Sequence, residues 1–252
     1  MNSKRNSNRW IFLRGLTRGN IHWSHFPEVF KTYCPDAEME FLEIPGNGYT
    51  SNEITPVDSK QVVEYLRAKS QFVQKGESFN LCGISLGGMI ALKWIELYPK
   101  EIESLNVINS SLAQFSPFYK RLIPNNYETL LRAIFSEDTN YQEEVILKIT
   151  SNKFEQTKNN VPGYAEFSSQ HKMKRLNFLR QIVMAKNIQI ESVPFVPFKI
   201  ISSRQDRLVH YTCSREIFRN LGGVQYIHPS AGHDLPLDEP EWLSEILISD
   251  LT

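Results

Sequence analysis

Ser85, Asp206 and His233 are the residues of this chain whose types and surroundings could do chemistry together. Ser85 stands in Gly83-Ile84-Ser85-Leu86-Gly87, after the apolar run Phe79-Asn80-Leu81-Cys82 and before a helical stretch over 89–97. A Gly-x-Ser-x-Gly between a strand and a helix holds its serine on a sharp, strained turn with the hydroxyl presented outward. A β-carbon beside that turn would clash, so the flanking positions are glycine. The helix that follows aims the positive end of its dipole at the place where an oxyanion would form. A serine hydroxyl is a weak nucleophile near neutral pH. It needs a histidine to take its proton and a carboxylate to orient that histidine.

Both partners occur downstream, in the order serine, acid, histidine. The β-branched run over 197–203 reads as a buried parallel strand, and Asp206 falls in the loop after it. Val224–His228 reads as the last strand, and His233 falls in the loop after that. The other histidines fit less well. His228 lies inside the strand, His210 follows Asp206 too closely, and His171 sits in a polar stretch. Asp234 adjoins His233, but neighbouring residues rarely orient each other's rings. Asp206 is therefore the expected acid, ahead of its alternative role as a cap for the helix starting near 211–212.

The elements that position these residues come from an alternation of strands and helices over 10–111. It implies a parallel sheet covered on both faces. No strand pattern appears over 112–190, where helices are expected at Tyr127–Phe135, 142–150 and 164–186. Alternation resumes near 197. The organisation is thus a core of 1–111 and 191–252, with 112–190 inserted as a helical lid. The lid carries eleven Lys/Arg against seven Asp/Glu in a chain of zero net charge. On its last helix Met173, Leu176, Leu179 and Val183 should form the inward face. Lys172, Lys174, Arg175 and Lys186 are then left as a solvated face or a docking surface for an acidic carrier protein.

Four segments resemble the α/β-hydrolase superfamily: Ile11-Phe12-Leu13-Arg14-Gly15-Leu16, Glu43-Ile44-Pro45-Gly46-Asn47-Gly48, the serine turn, and 205–209 together with 231–234. The lid size is similar to that of a subgroup of small helical-lid carboxylesterases in a cytosolic bacterial setting. The resemblance implies an α/β-hydrolase fold with a mostly parallel sheet and a serine esterase activity through an acyl-enzyme. It assigns the two oxyanion-hole N–H groups to Leu16 and Leu86. Trp23 and Phe115 are candidates for the acyl pocket. Two positions depart from the usual pattern: Arg14 stands where His is common, and Glu43 where Asp is common. A structural ion pair between them is expected. Position 85 is Ser rather than the Asp of the family's dehalogenases and epoxide hydrolases, which points away from those chemistries. Two alternatives stay open. One is thioester, acyl-transfer or C–C bond chemistry on the same triad. The other is a non-catalytic small-molecule-binding protein of this fold.

The chain has 252 residues, 41% of them hydrophobic, enough for one large core. No apolar stretch approaches ~20 residues, so no membrane span is expected. Residues 1–9 are polar and basic and read as a loose tail without a signal core. Cys34, Cys82 and Cys213 are scattered, which fits a reducing cytoplasm and neither a disulfide framework nor a metal cluster. No dinucleotide glycine motif occurs. The expectation is an enzyme without metal or cofactor that acts on a small acyl ester and has no nucleic-acid partner.

Overall fold

The computed structural model describes residues 8–249. Six strands form one sheet: β1 (Arg9–Leu13), β2 (Glu38–Leu42), β3 (Phe79–Ile84), β4 (Ile102–Ile108), β5 (Phe198–Ser203) and β6 (Val224–His228). Their order is β2-β1-β3-β4-β5-β6, and every neighbouring pair is parallel. Helices α1 (Phe26–Tyr33), α2 (Ser59–Lys69), α3 (Gln71–Lys75) and α4 (Leu86–Leu97) occur among the first four strands. Between β4 and β5 come α5 (Phe118–Arg121), α6 (Tyr127–Phe135), α7 (Thr139–Thr150), α8 (Phe154–Thr157), α9 (Val161–Gln170) and α10 (Arg175–Asn187). Then α11 (Thr212–Leu221) precedes β6, and α12 (Leu235–Asp238) and α13 (Pro240–Ile248) follow it.

Both faces of the sheet are buried because successive strand residues point to opposite sides. Ile11 and Leu13 enter one apolar cluster with Val62 and Leu66 of α2 and Ile90 and Trp94 of α4. Trp10 and Phe12 enter the other with Phe26 and Phe30 of α1 and Leu243 of α13. A parallel sheet covered in this way opens its working end where the strands finish, and all the candidate residues lie there.

The expected loose tail does not include Arg9. Arg9 opens β1, and its Nε donates to the Ser78 carbonyl at 2.9 Å. Residues 1–7 lie outside the described part. The helix expected over 164–186 is two helices, α9 and α10, separated at 171–174.

The face of α10 also differs from expectation. Leu176, Leu179 and Val183 are exposed, while Asn177, Gln181 and Met184 are buried. The reason is polar. Asn177 accepts from the Thr55 N–H at 3.0 Å and donates to the Glu53 carbonyl at 2.7 Å. Gln181 donates to Asn47 Oδ1 at 2.8 Å. The loop under α10 has backbone groups that no strand satisfies, and amide side chains meet that need better than leucine does. Among the described residues, no helix is long and apolar enough to cross a membrane.

Candidate active site

Ser85 sits between β3 and α4 with φ 57° and ψ −118°, a conformation that non-glycine residues hold only where the surroundings enforce it. The enforcement is visible on both sides. A β-carbon at Gly83 would overlap the Gly87 carbonyl, so the turn closes only with glycine there. A β-carbon at Gly15 would lie 3.1 Å from Ser85 Cβ, so the β1 loop can come up against the serine. The Ser85 side chain does not cap α4. Leu86 is the first residue of that helix, so its N–H has no partner within the helix.

Asp206 and His233 meet. His233 Nδ1 lies 2.7 Å from Asp206 Oδ2, and both side chains are buried. Asp206 Oδ1 accepts from the N–H groups of Leu208 and Val209 at 2.8 and 2.9 Å, which fixes the carboxylate plane. A carboxylate acceptor places the imidazole hydrogen on Nδ1 and leaves Nε2 with its lone pair. The end of β4 ties these pieces to the serine. The Ser85 N–H donates to the Ile108 carbonyl at 2.8 Å, and the next residue, Asn109, donates from Nδ2 to the His233 carbonyl at 2.8 Å. Asn109 Oδ1 also accepts the Ser203 N–H at 2.8 Å, at the start of the Asp206 loop. A preorganised donor, acceptor and serine at one sheet end is suited to nucleophilic displacement at an acyl carbon.

A family model described as serine aminopeptidase, S33 matches residues 48–240. The chain belongs to this family of α/β hydrolases. Comparison with curated protein sequences finds no match. Solved structures agree in fold. A meta-cleavage product hydrolase from Pseudomonas fluorescens superposes with a TM-score of 0.76 at 13% identity, covering 96% of this chain and 89% of that one. An esterase from a Rhodococcus species gives 0.72 at 12% identity, covering 96% and 90%. An α/β hydrolase from a Medee basin deep-sea metagenome library gives 0.68 at 20% identity, covering 100% and 94%. At such identities the likeness is one of fold, and the fold is that of the α/β hydrolases.

The hydrolase holds its site loops with buried charge that sequence reasoning placed differently. Arg14 does not pair with Glu43. Strand pairing ends at Leu13 and Leu42, one residue short, and the chains part. Arg14 instead makes a two-pronged pair with Asp234, at 2.9 and 2.7 Å, and its guanidinium lies 5.0 Å from the Trp23 ring centroid. Burial alone would raise the Asp234 carboxyl, but Arg14 holds it below the usual range. Glu43 accepts the Asn20 N–H at 2.7 Å, and burial pushes its carboxyl up.

A second pair joins helices α7 and α9 to the β1 loop. Arg18 donates to Glu143 of α7 at 2.6 Å, and Ser168 of α9 donates to the other oxygen at 2.7 Å. Burial would raise the Glu143 carboxyl, but Arg18 and His22 pull it strongly down. His22 is lowered to about 4 by burial first and by Arg18 second. Its Nδ1 accepts the Gly19 N–H at 3.0 Å.

The loop carrying Leu16 is further pinned by Asn47, whose Nδ2 donates to the carbonyls of Gly15 and Arg18 at 3.3 and 3.2 Å. Sequence reasoning missed Arg18, Asn47, Asn109, Glu143 and Gln181. Asn109 had a signal, an amide directly after a buried apolar strand. The others did not, because their partners lie far away along the chain. Trp23 is buried among Phe12, Phe26 and Phe41, whereas Phe115 is half-buried in the same cluster as Leu16 and Leu86.

Proposed function

We propose that this hydrolase cleaves a carboxylic ester, or a closely related acyl bond, through a covalent acyl-enzyme. Ser85 Oγ attacks the acyl carbon while His233 Nε2 takes the hydroxyl proton. Asp206 keeps the imidazole in the required tautomer and balances its charge once protonated. The N–H groups of Leu16 and Leu86 receive the oxyanion of the tetrahedral intermediate, each worth roughly 3–4 kcal/mol to the transition state. When the intermediate collapses, the bond to the leaving alkoxide breaks and His233 returns the proton to it. Water then attacks the acyl-Ser85 ester by the same route, giving a carboxylic acid and free Ser85.

The observation that carries this reading is the buried 2.7 Å contact between His233 and Asp206 at the sheet end that holds the strained Ser85 turn. The insertion over 112–190 is the lid in this scheme, and Phe115 is the preferred wall of the acyl pocket over Trp23. The acidic-carrier expectation draws no support, since Lys172 and Arg175 both pair with Glu137.

A fluorophosphonate probe and a panel of p-nitrophenyl esters test the proposal. Wild-type protein should label and turn over. Ser85→Ala should not label and should lose at least about 10³-fold in kcat with its folding intact. Near-normal turnover by Ser85→Ala would overturn the assignment.

A further inference from the structure

Two inserted helices turn apolar stripes to solvent. On α6, Leu131 and Phe135 lie one turn apart and are 54% and 65% exposed. On α10, Leu176, Leu179 and Val183 recur at helical spacing and are 61%, 57% and 44% exposed. The stripes meet at one end, where the Arg175 guanidinium lies 5.7 Å from the Phe135 ring centroid. Glu137, just past α6, pairs with Arg175 at 2.8 Å and also with Lys172. On α5, Phe118 is exposed and lies against Tyr127 of α6, which extends the surface to a third helix. Scattered exposed apolar residues are ordinary, but a connected set over three helices marks an interaction surface.

Charge says what covers it. Helices α5, α6 and α10 carry Lys120, Arg121, Arg132, Arg175, Arg180 and Lys186 against Glu128 and the Glu137 and Asp138 that follow α6, an excess of three positive charges. The cations beside the stripes are the exposed Lys186 on α10 and the half-buried Lys120 on α5, whereas Arg175 is held by Glu137 and the Arg180 Nε donates to the Thr55 carbonyl. A second copy of this chain would bring the same positive excess against this face. A surface that is anionic outside and apolar inside matches both features. We propose that the α5–α6–α10 face docks on an anionic lipid bilayer. Phe135, Leu176, Leu179 and Val183 enter the boundary between headgroups and acyl chains, and the flanking cations meet lipid phosphates. The face belongs to the working end of the molecule, since Gln181 on the inner side of α10 accepts the N–H of Thr17, the residue after Leu16, at 3.5 Å. Docking therefore brings the Ser85 site to a store of water-insoluble acyl esters. The docking itself is independent of the proposed reaction.

Sedimentation with phosphatidylcholine vesicles, with and without phosphatidylglycerol, tests this. The full chain should bind the phosphatidylglycerol vesicles, and binding should weaken as salt rises. Ser85→Ala should bind equally well, which separates docking from turnover. The double variant Leu179→Asp with Val183→Asp should lower partitioning by at least about tenfold while keeping its Tm and its rate on a short soluble ester. Lys120→Gln with Lys186→Gln should weaken binding to anionic vesicles only. Failure of the folded wild-type chain to bind, or unchanged binding by the aspartate variant, would overturn the proposal. So would a wild-type dimer in solution that the aspartate variant dissolves, since the occupant would then be a second copy.

Discussion

Helices α4 and α10 both touch the working end of the molecule, and they bury opposite kinds of residue. Every buried residue of α4 is apolar or glycine. Helix α10 buries Asn177 and Gln181 and leaves four aliphatic side chains outside, Leu176, Leu179, Ile182 and Val183. The difference follows from what each helix rests on. Under α4 lie β3 and β4, whose backbone groups already bond to neighbouring strands, so only apolar packing is on offer. Under α10 lie the loops around Asn47 and Thr55, with backbone groups still to be satisfied. An unpaired buried amide costs more than a solvated leucine, so the polar stripe turns inward.

The largest effect expected lies on the sheet side. Asp206→Asn should lower kcat by about 10³–10⁴-fold on a good ester with little change in Tm, because the imidazole tautomer is no longer held. Asp234→Asn, one residue from His233, should show the opposite profile. It strands the buried Arg14 guanidinium, and denaturant unfolding should report a loss of about 3–5 kcal/mol, partly recovered when Arg14→Met is added. If Asp234→Asn lost kcat as Asp206→Asn is expected to and kept its stability, the roles of the two acids would need exchanging.

A smaller effect lies at the junction with the inserted helices. His22 binds its proton more weakly in the folded chain, with its value lowered from 6.5 to about 4. The stability this contributes is complete above pH 6.5 and fades as pH falls toward 4, as the unfolded chain takes up the proton first. Between pH 7 and pH 5 the loss should be about 2 kcal/mol. A His22→Asn variant should show a flatter curve over that window, and an equally steep one would assign the loss to another group.

The smallest effects test the inverted face of α10 directly. Gln181→Leu should destabilise by on the order of 1–2 kcal/mol, since it leaves the amide of Asn47 short of a partner. Leu179→Gln should change stability in lipid-free buffer by no more than about 0.5 kcal/mol. The reverse ranking in thermal melts would restore the conventional orientation of the helix.

The sheet and the serine turn were legible because their signals are local. The turn lies within five residues, and Asp206 and His233 each follow a recognisable strand by a few positions. Val224–His228 was read with the bounds it has. What could not be read depends on the other side of a contact. Arg14 and Asp234 are 220 positions apart, and nothing near either names its partner. Periodicity located an apolar stripe on α10, but it gave no information on which surface that stripe would meet. The separation of α9 from α10 was hidden because residues 171–174 contain neither glycine nor proline.

The strand order has a consequence in time. β4 pairs with β5 only after the chain over 109–197 has been made. At a synthesis rate of roughly 5–20 residues per second, that edge of β4 waits roughly 4–18 s on the ribosome with its outer backbone groups unpaired. β1, β2 and β3 have by then emerged and can close against one another. The strand order therefore predicts assembly from the amino-terminal half outward. The chain's period of greatest exposure to wrong partners falls while the inserted helices are being made.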